Sequence, residues 1–232
     1  MFPFMFFDPT MILLIPGLIL AGWAQFKVKG TFKKYDEFSA RSGHSADQIA
    51  RDILNRGGLD VEVGHVKGDL SDHYDPRSRE LNLSDSVYGN NSLAAIGVAA
   101  HEAGHAFQHS QGYTPLSLRS NLVPVANFGS TIGMPMFFIG LFAGWQPLVE
   151  IGILFFSFAV LFGLITLPVE FNASSRAIAI LSEGGYLTAE EIPAARKVLN
   201  AAAWTYVASA LMAVLSLIRL LMFSGLLGGR DD

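Results

Sequence analysis

Long apolar runs alternate with polar stretches along this chain. The runs cover residues 10–26, 122–144, 148–169 and 203–223. Each approaches the ~20 residues that a helix needs to cross ~30 Å of hydrocarbon, so four transmembrane helices are expected. The first is short and holds Pro16 and Gly17, like the apolar core of a signal peptide. No Lys or Arg precedes it and no clear small-residue cleavage site follows, so it reads as an uncleaved anchor. Between the first two runs the periodicity changes. Ser45-Ala46-Asp47-Gln48 leads into Ile49, Ile53 and Leu54, an N-capped amphipathic helix stopped at Gly57-Gly58. Residues 59–66 and 80–84 alternate apolar and polar positions and predict two short strands, with a turn at Asp75-Pro76 between them. From Ser92 the residues are small and apolar through Ala100, which predicts a buried helix. Further on, Thr188 and Glu191 form a capping box, with Pro193 tolerated in the first turn of a helix that continues into the last apolar run.

The expected organisation is an N-terminal anchor at 1–26, a polar α+β domain at 27–121, a transmembrane hairpin at 122–169, a polar helical segment at 170–202, and a final transmembrane helix with its tail at 203–232. Composition agrees with a membrane protein. The mean hydropathy is +0.38, and only 16% of the 232 residues are charged. Eleven of the 16 Lys and Arg fall between Lys27 and Arg119, and Arg176, Arg196 and Lys197 lie between the third and fourth runs. Basic residues are retained on the cytoplasmic side, so both large polar segments are expected inside and both termini outside. A net charge of −4 gives no footing for a nucleic-acid partner. Without cysteine, disulfides, Cys-based metal sites and Cys nucleophiles are excluded.

The chemistry is concentrated in His101-Glu102-Ala103-Gly104-His105, within the predicted buried helix. One helical turn separates the two histidines on one face, with Glu102 beside them. This HExxH pattern is the ligand pair and general base of a zinc hydrolase, although it also arises by chance in helices that bind nothing. A zinc hydrolase needs a third protein ligand. His44, His65, His73 and His109 are the other histidines. His109 continues the four-residue spacing but lies ~12 Å along the helix from His101, too far to share one ion. The metzincin pattern is excluded, because Gln108 and Gln111 stand where its Gly and third His belong. Among acidic candidates, Glu150 opens the third span on the opposite side of the membrane. Glu170 closes that span on the inner side, where it can face the motif or merely mark a helix end.

Several separate blocks then carry a family resemblance: Asp72-His73-Tyr74-Asp75-Pro76, Leu81-Asn82-Leu83-Ser84, the motif itself, Pro115-Leu116-Ser117-Leu118-Arg119-Ser120, Val169-Glu170-Phe171 and Thr205-Tyr206-Val207-Ala208. In this order they resemble the YugP-like neutral zinc metallopeptidases of bacterial membranes, and more distantly the gluzincin membrane proteases that include HtpX. The resemblance implies a mainly α integral membrane protein with a small cytosolic zincin-like α+β domain. It implies Zn2+ held by His101, His105 and Glu170, with Glu102 as base, acting on protein or peptide substrates at the lipid bilayer. Better-known relatives place an Asp four residues after the Glu ligand, where this chain has Ser174. That leaves Asn172 as a candidate partner for a zinc histidine.

Smaller signals each admit two readings. Residues 81–84 are either a sheet edge that pairs with substrate or an interior strand. Asp72 to Pro76 either line the cleft through His73 or Tyr74 or simply make a turn. Arg176 either pairs with a carboxylate near the site or anchors the helix to the inner leaflet. Arg219 is expected to snorkel. Tyr206 is an oxyanion donor only if the start of the last span lies beside the site. The leading function is a membrane zinc endopeptidase. Its rival is a non-proteolytic membrane adaptor or chaperone with a structural zinc, which would have no need of Glu102. A transporter is disfavoured by the lack of paired intramembrane charges.

Overall fold

The computed structural model describes residues 9–226. The N-terminal stretch before Thr10, which holds no Lys or Arg, lies outside them except for Pro9, and so does Arg230. A 3-10 turn at Pro9–Leu14 leads into helix α1 (Ile15–Asp36), followed by α2 (Ala46–Arg56), strands β1 (Glu62–Val66), β2 (His73–Asp75) and β3 (Glu80–Ser84), and helices α3 (Leu93–Ser110), α4 (Thr114–Ala143), α5 (Gln146–Glu183) and α6 (Ile192–Phe223). Four helical stretches, Pro9–Asp36, Thr114–Ala143, Gln146–Glu183 and Ile192–Phe223, are long and apolar enough to cross a membrane. The protein is therefore mainly helical with one small sheet, the class that the hydropathy pattern predicts.

By its internal contacts the chain forms two compact units. One contains the residues up to Trp23, Leu118–Leu167 and the residues from Thr205 onward. The other contains Ala24–Ser117 and Pro168–Trp204. They are called the apolar and the polar unit below.

In the polar unit, α2 begins where the Ser45 N–H donates to Gln48 Oε1 at 3.1 Å, the reciprocal bond of the capping box. Its apolar stripe of Ile49, Ile53 and Leu54 is buried in a core shared with Leu81 and Leu83 of β3, Ile96 of α3, Leu181 of α5 and Val198 of α6. The α3 helix starts at Ser92, whose Oγ accepts from the Ala95 N–H at 3.1 Å. Ala94, Ala95, Ala99, Ala100 and Ala103 along it are fully buried. Side chains this small bring neighbouring elements close to the backbone of α3 and so build the walls of the site.

The sheet has the order β1-β3-β2, with β1 parallel and β2 antiparallel to β3. One sequence expectation is corrected here, and one open alternative is decided in favour of the interior strand. Residues 73–75, read as part of a turn, form a strand in which His73 pairs with Asn82 and Tyr74 with Leu81. The turn falls immediately after it, at residues 76–79. Three residues are too few for alternation to register. β3 is the central strand, so residues 81–84 present no free edge, and a peptide cannot be added there through backbone bonds. At the other end of the unit, the Thr188 N–H donates to Glu191 Oε2 at 2.8 Å as the capping box predicts, although α6 itself begins at Ile192.

In the apolar unit, Phe137, Val149, Ile153, Phe156, Val160 and Leu220 form a separate buried cluster. Ile19, Phe142 and Leu154 point outward, each more than half exposed. Helices α4 and α5 touch backbone to backbone: a Cβ on Gly152 would lie 2.6 Å from the Phe137 nitrogen. Instead of only snorkelling, Arg219 donates from Nε to Thr10 Oγ1 at 3.2 Å, and its guanidinium sits 5.4 Å from the Phe223 ring centroid.

Candidate metal centre

Helices α3 and α5 together build the site, within the polar unit. On α3, His101 and His105 project from one face, with ring centroids 4.7 Å apart and planes nearly perpendicular at 86°. On α5, Glu170 is 2% exposed, and its Oε2 lies 3.2 Å from His101 Nε2 and 3.6 Å from His105 Nε2. One ligand atom from each of the three residues can be chosen so that all lie within 4.8 Å of one another. Donors placed 2.0–2.1 Å from a tetrahedral zinc are separated by about 3.3 Å, so two imidazole nitrogens and one carboxylate oxygen at these spacings fit the ion in type and distance.

Gly104, between the two histidines, is required by packing rather than by chemistry. A Cβ there would come within 2.7 Å of the Ala173 carbonyl oxygen, so only glycine lets the α5 backbone lie against α3 at this height. The HExxH pattern leaves that position open. The need for glycine becomes visible only when the second helix is in place.

Glu102 is 8% exposed, and its carboxylate takes part in no hydrogen bond among the described residues. Its negative charge acts on two neighbours. Burial alone would hold the His105 imidazole neutral, but the bond to Glu170, the charges of Glu102 and Glu170, and the bond to Gln108 together raise its proton affinity. The Asp72 carboxyl is pushed above the usual carboxylate range, chiefly by burial and further by Glu102, against two hydrogen bonds from Ser84. Those bonds run from the Ser84 N–H and Oγ at 2.8 and 2.9 Å, and tie the Asp72 loop to the end of β3.

The residues with open roles are now placed. His73 is exposed, its Nδ1 2.9 Å from the Ser71 carbonyl oxygen, and Tyr74 Oη lies 2.8 Å from His109 Nδ1. His65 is paired with Asp85 at 2.8 Å. Glu150 lies on α5 twenty residues before Glu170, about 30 Å along the axis. Arg176 forms no ion pair among the described residues. Its Nε donates to Asn172 Oδ1 at 2.7 Å and its Nη1 to Gln111 Oε1 at 2.6 Å. Tyr206 belongs to the apolar unit.

The sequence left open what supports the histidines. Ser174 itself does so for His101, with Oγ 3.1 Å from Nδ1. Asn172 reaches no histidine directly. Gln108, noticed in the sequence only because it breaks the metzincin pattern, lies with Oε1 2.9 Å from His105 Nδ1. Its position one turn beyond His105 on the same helix was the available signal. A cavity of about 390 Å³ opens beside the second half of α3, lined by Asp60, Tyr74, Arg79, Ala106 and His109 among others.

A helical membrane protein with a His, His, Glu cluster beside a free carboxylate is the architecture of a membrane metallopeptidase. Comparison with known proteins gives the family. Residues 10–225 match the family described as "Putative neutral zinc metallopeptidase", and the chain belongs to it. It is 48% identical over 221 residues to a Bacillus subtilis protein named "Putative membrane protease YugP", covering 95% of this chain and 97% of that one. No solved structure matches the chain significantly.

Proposed function

We propose that this protein is a zinc-dependent endopeptidase of the cell membrane, with its site on the cytoplasmic side, both termini outside, and membrane or membrane-adjacent proteins as substrates. His101, His105 and Glu170 would hold the ion, and Glu102 would act as general base. The observation that carries this reading is the convergence of one ligand atom from each of His101, His105 and Glu170 within 4.8 Å of one another, with Glu102 next to His101 in the chain. The domain arrangement proposed from the hydropathy pattern, a polar α+β domain at 27–121 and a polar helical segment at 170–202 set among four spans, puts both ligand-bearing pieces on the basic, inner side.

The chemistry that bound zinc supplies here is Lewis acidity, which makes water a stronger acid and polarises a scissile carbonyl. The chain's own part is proton handling and alignment. Glu102 takes a proton from the attacking water on a carboxylate oxygen and passes it to the amine nitrogen as the peptide C–N bond breaks. Ser174 and Gln108 hold the two imidazoles with their Nε2 atoms toward Glu170. The nearby cavity, with Asp60 and Arg79 on its walls, is a candidate pocket for a substrate side chain.

Metal analysis of the purified full chain, joined to peptide and casein cleavage with and without chelator, tests this. Stoichiometric zinc and chelator-sensitive cleavage are expected. Substituting His101, His105 or Glu170 by Ala should remove both. Zinc bound with no cleavage of any substrate would instead favour the adaptor or chaperone reading.

A further inference from the structure

Gln108 is fully buried, and its amide stands at the junction of the two ligand-bearing helices. Its Oε1 faces His105 Nδ1 at 2.9 Å, while its Nε2 lies 2.8 Å from the Val169 carbonyl oxygen and 2.9 Å from Asn172 Oδ1. The direction of this hydrogen-bond chain follows from its ends. Arg176 can only donate, so the Asn172 atom that it meets at 2.7 Å is the amide oxygen. The Val169 carbonyl can only accept. The Gln108 atom between these two acceptors must therefore be the NH2 group, and its oxygen must be the atom turned to His105. An oxygen in that place requires a proton on Nδ1, which leaves the Nε2 lone pair of the neutral ring facing Glu170.

We infer that Gln108 is a positioning residue for the candidate metal centre. It sets the tautomer and tilt of His105 through one end of its amide, and through the other it holds the α5 backbone at Val169, the residue before Glu170. One buried side chain thus orients one candidate ligand and anchors the segment that carries another. Because the amide is neutral, it does this without adding a negative charge to the site, unlike the carboxylate partners common behind zinc histidines. This inference rests on the reading of the site as a zinc centre, but its first consequence, the proton on Nδ1, does not.

The test uses the full chain in detergent micelles. Zinc affinity is measured by competition with a chromophoric chelator, and the proton position by nitrogen NMR of histidine-labelled, metal-free protein at a pH where the imidazole is neutral. Gln108→Met keeps the volume and removes the bonds. It is expected to weaken zinc binding by about 10–100-fold and to release the His105 proton from Nδ1. Gln108→Glu keeps the acceptor for Nδ1–H and can protonate the oxygen that faces Val169, so its loss should be smaller. A role in packing alone predicts the reverse ranking, because Met suits a buried site better than Glu.

Zinc affinity in Gln108→Met equal to that of the parent, or a parent His105 that carries its proton on Nε2, overturns the inference. If Gln108→Met does not fold, the parent spectrum decides by itself, because the proton on His105 Nδ1 is read without any substitution and its absence overturns the inference equally. A parent with the expected tautomer and no zinc affinity would defeat the metal reading and leave the orientation of His105 by Gln108 standing.

Discussion

In the apolar unit Ile19, Phe142 and Leu154 are more than half exposed, whereas in the polar unit Ile49, Leu54, Leu81, Leu83 and Ile96 have 2% or less of their surface accessible. The same kinds of side chain face opposite ways because the expected surroundings differ. Water drives the second group inward. A bilayer is as apolar as leucine and gives no such push, so helices there cohere through close backbone approach, as at Gly152. The polar unit adds directional bonds to its core, and those bonds aim the candidate site: Ser84 on Asp72, Ser174 on His101, Gln108 on His105. Burial gives that unit stability, and hydrogen bonds give it aim.

The largest expected effect separates the chemistry of the polar unit from its architecture. Glu102→Gln keeps the shape of the site but removes the proposed base, so cleavage should fall by about 10²–10⁴-fold at unchanged zinc content, read by peptide turnover beside metal analysis. Full proteolysis in this variant would refute the assigned base.

Next comes a matched pair of glycine substitutions. Gly104→Ala drives a methyl toward the Ala173 carbonyl oxygen, 2.7 Å away, and Gly152→Ala drives one toward the Phe137 nitrogen, 2.6 Å away. Each should cost about 1–3 kcal/mol by overpacking, seen as a lower midpoint of thermal unfolding in detergent. Only Gly104→Ala should also weaken zinc binding, since it pushes apart the helices that carry His105 and Glu170. Equal zinc affinities in the two variants would erase the distinction between the units.

A smaller effect is expected from Ser174→Ala. It deprives His101 Nδ1 of its neighbour, and zinc affinity should drop by about tenfold, at the low end for loss of a supporting group. A hydroxyl rotor constrains its imidazole less than the Gln108 amide does, so a loss larger than that of Gln108→Met would reverse the proposed order of the two supports.

The smallest effect is a pH response away from the site. Burial of Glu191 opposes its ionisation, but N–H bonds from Thr188 and Arg41, each 2.8 Å, outweigh it and hold the carboxyl below the ordinary glutamate range. A lowered acid stabilises the fold above the unfolded-state value, and that contribution is lost as pH falls through the folded-state value. Glu191→Gln should therefore flatten the acid limb of stability against pH, by lowering stability in the neutral region and leaving the acid end nearly unchanged. A steeper acid limb would contradict the sign.

Hydropathy runs, helix caps and the four-residue spacing of His101 and His105 are local, so one strand of text carries them. They predicted the four long helices, α2 with its Ser45 cap, the strand at 80–84 and the buried helix of the HEAGH segment. Glu170 was reachable from sequence by topology and by family resemblance, since a span boundary is itself a one-dimensional signal. What only the tertiary structure decided depends on atoms brought together across many residues of chain. These are the interior place of β3, the strand at 73–75, the need for glycine at 104, and the amide of Gln108 wedged between His105 and Val169. Periodicity reports which face a residue occupies, because backbone geometry repeats. It cannot report what meets that face, because the partner is chosen by packing between segments whose separation in sequence carries no information about their distance in space.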